Sequence, residues 1–91
     1  MEVKEFCKRL AEKFGKGEEL ANDFEWLIEC SSVNAYYGHG PKELLRSNHT
    51  ARHLNTCWAM EKAILACGRV GYYICAEDDD CVQEVMREAL A

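Results

Sequence analysis

The sequence predicts an all-α fold: a single compact domain, residues 1–91, built as a bundle of four to five short helices, with one segment near 69–75 irregular or strand-like. Three observations predict it. Apolar residues recur at three- and four-residue spacing along most of the chain, the period of a helix that buries one face. The stretch Asn48 to Cys67 holds neither Gly nor Pro and would span roughly 30 Å as a helix, close to the width of a domain this size. The only strand-like run, Arg69 to Cys75, has no second run to pair with, and a lone strand leaves its backbone hydrogen bonds unmade. That run is expected to be irregular or briefly helical; the alternative is a strand shared across a dimer.

Residues 2–14 form an amphipathic helix with Val3, Phe6, Cys7, Leu10, Ala11 and Phe14 on one face, ended by Gly15-Lys16-Gly17, whose glycines permit a tight reversal. The next helix should run antiparallel to the first. It starts with Glu18 and Glu19, favoured there by the helix dipole, carries Leu20, Ala21, Phe24, Leu27, Ile28 and Ser31 inward, and fades near Asn34. Trp26 and Cys30 fall off its stripe. Tyr36 to Pro41 reads as a loop, and residues 41–47 as a short helix with Pro41 at its first position. A break or kink is expected at Ser47-Asn48.

The central helix, 48–67, is expected to be capped by Ser47 or Asn48 and closed by Gly68. It turns Leu54, Cys57, Trp58, Met60, Ile64, Leu65 and Cys67 inward. The acidic run 77–80 leads into a final helix with Cys81, Val82, Val85, Met86, Ala89 and Leu90 on one side. The expected core is Phe6, Leu10, Phe14, Phe24, Leu27, Leu54, Trp58, Leu65 and Val85.

A 48% apolar content argues for a folded domain rather than a disordered one. The net charge is −5, which gives no general attraction to nucleic acid or anionic membranes. The charge is unevenly spread. Residues 1–40 hold eight acids and five bases, residues 41–69 two acids and five bases, and residues 70–91 six acids and one base. The N-terminus lacks the uninterrupted apolar run of a signal peptide, and Glu61, Lys62 and Arg69 interrupt the one candidate membrane span. A cytoplasmic location is therefore expected, with no membrane partner.

Six cysteines, Cys7, Cys30, Cys57, Cys67, Cys75 and Cys81, could form a disulfide framework. On one helix, however, Cys57 and Cys67 would stand about 15 Å apart, and bridged Cα atoms need about 4.4–6.8 Å. Cys7 and Cys57 also lie in apolar stripes, where a thiol behaves as a small hydrophobe. Reduced thiols are expected.

The chemistry-bearing patterns are weak. His49, His53 and Cys57 follow an i, i+4, i+8 series, but the outer two would be about 12 Å apart on a straight helix, too far for one zinc ion. The acidic run at 77–80 could suggest calcium or magnesium, but it lacks the spacing and the turn glycine of an EF-hand loop and is accounted for by helix capping and the helix dipole. His53 and Cys57 could pair as base and nucleophile, yet no third orienting group accompanies them. Gly68-Arg69-Val70-Gly71 matches an RNA-clamping G-x-x-G string without the strands that module needs. No catalytic residue, cofactor or resident metal is expected, and nucleic acid is a poor fit to an acidic chain.

By elimination the chain is expected to be a small cytosolic protein-binding module, an adaptor or an inhibitor that occupies a partner's surface, such as one encoded by a phage or mobile element. Its partner-binding residues are expected among the off-stripe aromatics Trp26, Tyr36, Tyr37, Tyr72 and Tyr73 and the bases Lys42, Arg46 and Arg52. Exposed aromatics bury much area at low entropy cost, so homodimerisation through one of these segments is also expected. The alternative, from another class, is a metal- or redox-responsive regulator that uses His49, His53 and the cysteines.

Overall fold

In the computed structural model, which describes all 91 residues, the chain forms six helices and no strand. They are α1 Val3–Glu12, α2 Glu18–Tyr36, α3 Glu43–Ser47, α4 His49–Leu54, α5 Trp58–Cys75 and α6 Asp79–Leu90. The fold is all-α, with one helix more than the sequence predicts, because the expected central helix is two. Asn48, extended between α3 and α4, accepts the Ala51 N–H on its side chain at 3.0 Å and starts α4 as expected. Seven residues later Asn55 leaves the helical region, and Cys57 is fully extended at φ −158° and ψ 166°. Asn, Thr and Cys at 55–57 are poor helix formers, and the bend lets α4 bury Ala51 while α5 sets its own register.

That register overturns two expectations. Trp58 is not in the core: it is 73% exposed. Once the chain bends at 55–57, Leu54 and Trp58 no longer share a stripe. α5 instead buries Met60, Ala63, Ile64, Cys67, Gly68, Val70 and Gly71. At 100° per residue these lie opposite Trp58 and Leu65. Gly68 does not end the helix either; α5 runs on through 69–75, the run expected to be irregular or strand-like. Helical hydrogen bonding satisfies the backbone of that run within the chain, so no strand is left to share across a dimer. Of the other expected core residues, Phe6, Leu10, Phe24, Leu27 and Val85 are buried, whereas Phe14, Leu54 and Leu65 are half-buried.

α2 and α5 form the centre of the molecule, with α1 and α6 on one flank and α3 and α4 on the other. Gly71 permits the close approach of α2 to α5, and Gly68 that of the Pro41 backbone. A Cβ on Gly71 would collide with the Ile28 carbonyl oxygen and lie 2.7 Å from the Ser31 Cβ. A Cβ on Gly68 would lie 2.6 Å from the Pro41 carbonyl oxygen. The buried Ser31 hydroxyl donates to the Gly68 carbonyl at 2.5 Å, tying the two helices at the same point. Gly15 (φ 66°) and Gly38 (φ 84°) make the reversals after α1 and α2, where a side chain would be strained. Pro41 and Lys42 form a turn ahead of α3 rather than its first residues. Asp78 caps α6 by accepting the Cys81 N–H at 3.2 Å, which accounts for the acidic run at 77–80.

The six thiols are free, and two of them have a measurable consequence. Burial pushes Cys7 up to about 12 and Cys67 well above 9.0. The unfolded chain loses both protons near pH 9 while the folded chain keeps them. Stability is therefore intact below pH 9 and falls as the pH rises toward 12, by up to about 1.4 kcal/mol per unit per thiol. Denaturant midpoints measured from pH 8 to 11 should show this decline, and Cys67→Ala should make it shallower while leaving the share from Cys7. In the folded protein the exposed Cys57 should alkylate first, with Cys7 and Cys67 protected until the chain opens.

Candidate functional site

The outward side of α5 carries Trp58, Lys62, Leu65, Arg69 and Tyr72 at alternating steps of four and three residues. This spacing keeps one face in line along a helix. The stripe lies between two open clefts. One, of about 620 Å³, runs between α1, α5 and α6; Leu10, Phe14, Ala63, Ala66, Val85 and Ala89 line it, with Lys13, Lys62, Arg69 and Glu88 around the edge. The other, of about 580 Å³, lies where α3 leans on α5, and Pro41, Lys42, Glu43, Arg46, Tyr72 and Tyr73 line it. Leu65 and Arg69 border both clefts, so the two form one continuous face.

The fold builds this face from local causes. Gly68 lets the Pro41 backbone sit directly on α5, which brings Lys42 and Arg46 alongside Arg69 and Tyr72. Leu44, fully buried, pins α3 in place. Tyr72 and Tyr73 stack edge to face with centroids 5.6 Å apart. At the other end the Lys62 ammonium sits 4.5 Å from the Trp58 ring centroid, a cation–π contact. The Lys13 ammonium donates to the Ala89 and Ala91 carbonyl oxygens at 3.2 and 3.1 Å. Arg69 makes one long, exposed pair with Glu88 at 3.7 Å, while Lys42, Arg46 and Lys62 make no ion pair.

Five bases against two acids line the two clefts, a local charge of +3 on a chain of net −5. Such a face combines exposed apolar area with unneutralised positive charge. It can desolvate against an apolar surface while steering toward carboxylates.

The expected partner-binding residues divide. Lys42, Arg46, Tyr72 and Tyr73 come together in the α3–α5 cleft. Trp26, 52% exposed, borders a separate hollow of about 320 Å³ on α2 with Glu29, Cys30, Val33, Ser47 and Asn48. Tyr36 and Tyr37, more than 70% exposed, stack edge to face at the end of α2, away from either cleft. Arg52 stands alone on α4. Trp58, Lys62, Leu65 and Arg69 were not among the expected residues. A signal for them exists: the stripe that carries Lys62 and Arg69 has to face water, and Trp58 shares it. His49, His53 and Cys57 are exposed, and no three His, Cys, Asp or Glu side chains come near enough to share an ion.

Fold and site together define a small all-α domain with a basic, aromatic outer face. No helix is long and apolar enough to cross a membrane. The chain matches no protein-family model, and no characterised protein or solved structure is detectably similar to it.

Proposed function

We propose that this protein is a protein-binding module that acts by occupying a partner's surface, as an adaptor or inhibitor, with the outer face of α5 as its contact. One observation carries this: Trp58, Lys62, Leu65, Arg69 and Tyr72 form an exposed apolar and basic stripe between two clefts on an otherwise acidic chain. Tryptophan, tyrosine and arginine are the residue types that dominate binding energy at protein interfaces. The surface it meets is acidic with apolar anchors, because carboxylates match the rim and aliphatic side chains match the clefts. The cytosol remains the proposed location, and there the six thiols stay reduced. Exposed aromatics on both α2 and α5 also support self-association.

A photo-crosslinking residue placed at the exposed Ala59, in cells of the source organism, tests the proposal. It should trap a partner through an acid-rich peptide, and raised salt should weaken the capture. Arg69→Glu and Trp58→Ala should each abolish the crosslink. Because Trp58 is exposed, Trp58→Ala should change stability by no more than about 0.5 kcal/mol. Crosslinking equal to that from a probe at Glu12, outside both clefts, would remove the α5 face from consideration.

A further inference from the structure

The hollow on α2 differs in chemistry from the α5 face. α2 carries Glu18, Glu19, Asp23, Glu25 and Glu29 and no base. Trp26, Cys30 and Val33 form the apolar side of a depression that Glu29, Asn34, Ser47 and Asn48 also line, and Trp26 and Val33 are each 52% exposed. At the start of α5, Trp58 stands 73% exposed with the Lys62 ammonium over its ring. One surface is a hollow with an apolar side and a carboxylate in its wall; the other is an apolar knob with an ammonium over it.

We propose that the α2 hollow is a self-association site whose occupant is Trp58 of a second copy of this chain. Lys62 of that copy then lies against Glu29, and the indole packs between Trp26 and Val33.

Charge selects this pairing over the symmetric ones. Two α2 faces set together would oppose Glu29 to Glu29, and two α5 faces would oppose lysine and arginine to their own kind. Like charges at a contact cost free energy. Only α2 against α5 places acid on base and hole on knob at once. The contact is therefore heterologous, made from two different patches. It covers Trp58, so self-association competes with any partner that needs the same end of the α5 face.

The inference rests on the docking proposal only in treating exposed aromatic faces as contact surfaces. Glu29 lines the α2 hollow and neither α5 cleft, so the two can fail separately. The test is sedimentation of the full-length protein from micromolar to millimolar concentration, at low and high salt. Mass should rise above 10.4 kDa with concentration and fall back with salt. Trp58→Ala should weaken association by roughly 30-fold, as loss of a central aromatic anchor does. Glu29→Lys and Lys62→Glu should each weaken it about tenfold, while the double variant Glu29→Lys/Lys62→Glu should return close to the original affinity. Glu29→Lys should leave the Ala59 crosslink to a foreign partner intact. A chain that stays at 10.4 kDa throughout, or a double variant no better than its parents, overturns the proposal.

Discussion

Gly71→Ala is expected to lower the melting temperature by on the order of 10–20 °C, although alanine is the better helix former. Alanine at a mid-helix glycine gains about 1 kcal/mol of propensity. Here the gain is outweighed, because the new methyl would run into backbone: the Ile28 carbonyl oxygen and, at 3.0 Å, the Ser32 nitrogen. Side chains can rotate away from such a clash, but helix backbone yields only if α2 and α5 move apart. Separation would strain the Ser31–Gly68 hydrogen bond and loosen the packing around Leu27, Ile28, Cys67 and Val70. Overpacking of this kind costs about 1–3 kcal/mol, occasionally more. A clash with backbone on both contacts belongs above that range, at about 3–4 kcal/mol. The net loss after the propensity gain is then about 2–3 kcal/mol, which corresponds to the stated shift in a domain this size. Gly40→Ala is the control, since nothing lies within 4 Å of its added Cβ, and it should stay within about 0.5 kcal/mol. Thermal unfolding followed by circular dichroism separates the two. An unchanged Gly71→Ala would mean that α2 and α5 do not meet through this glycine.

The same glycine shows where the sequence is legible and where it is not. α1 and α6 each carry one apolar stripe with charge on the other side, and α2 carries a dominant one opposite Trp26, Cys30 and Val33, so period alone places Phe6, Leu10, Phe24, Leu27 and Val85 correctly. α5 carries two stripes. One holds Trp58 and Leu65; the other holds Met60, Ile64 and Val70 interleaved with the small Ala63, Cys67, Gly68 and Gly71. Read as one continuous helix, the two stripes merge into a single broad apolar arc, whereas the buried side of α5 is set by where a neighbouring backbone approaches Gly68 and Gly71. A glycine that permits close approach and a glycine that ends a helix look alike in one sequence. The bend at Asn55 to Cys57 compounds this, since a three-residue interruption rotates every later residue relative to α4. For the site, Trp26 and the 36–37 pair were legible as off-stripe aromatics, and Lys42 and Arg46 as a basic cluster. Their juxtaposition with Arg69 and Tyr72 depends on Pro41 sitting on Gly68, a contact 27 residues apart in sequence that periodicity does not encode.

Phe24→Ala is expected to cost about 3–5 kcal/mol, the range for emptying a buried aromatic site. Phe24 is fully buried near the middle of α2, and its ring tilts against Phe14 with centroids 6.3 Å apart. The cavity would open between helices already held by glycine contacts, which limits how far they can collapse into it. Domains of about this length have a total stability of roughly 5–14 kcal/mol, so the variant loses a large share of it. Its melting temperature should fall by roughly 20 °C or more. A second readout follows from the thiols. Cys67 reacts only when the chain opens, so its alkylation in Phe24→Ala should accelerate by roughly two to four orders of magnitude, tracking the lost stability. Trp58→Ala removes a larger ring and should do neither, because that ring is solvated. The contrast tests the orientation of α5 itself. If Trp58→Ala proved as destabilising as Phe24→Ala, the stripe from Trp58 to Tyr72 would face inward, and neither the α5 docking face nor the knob for the α2 hollow could exist.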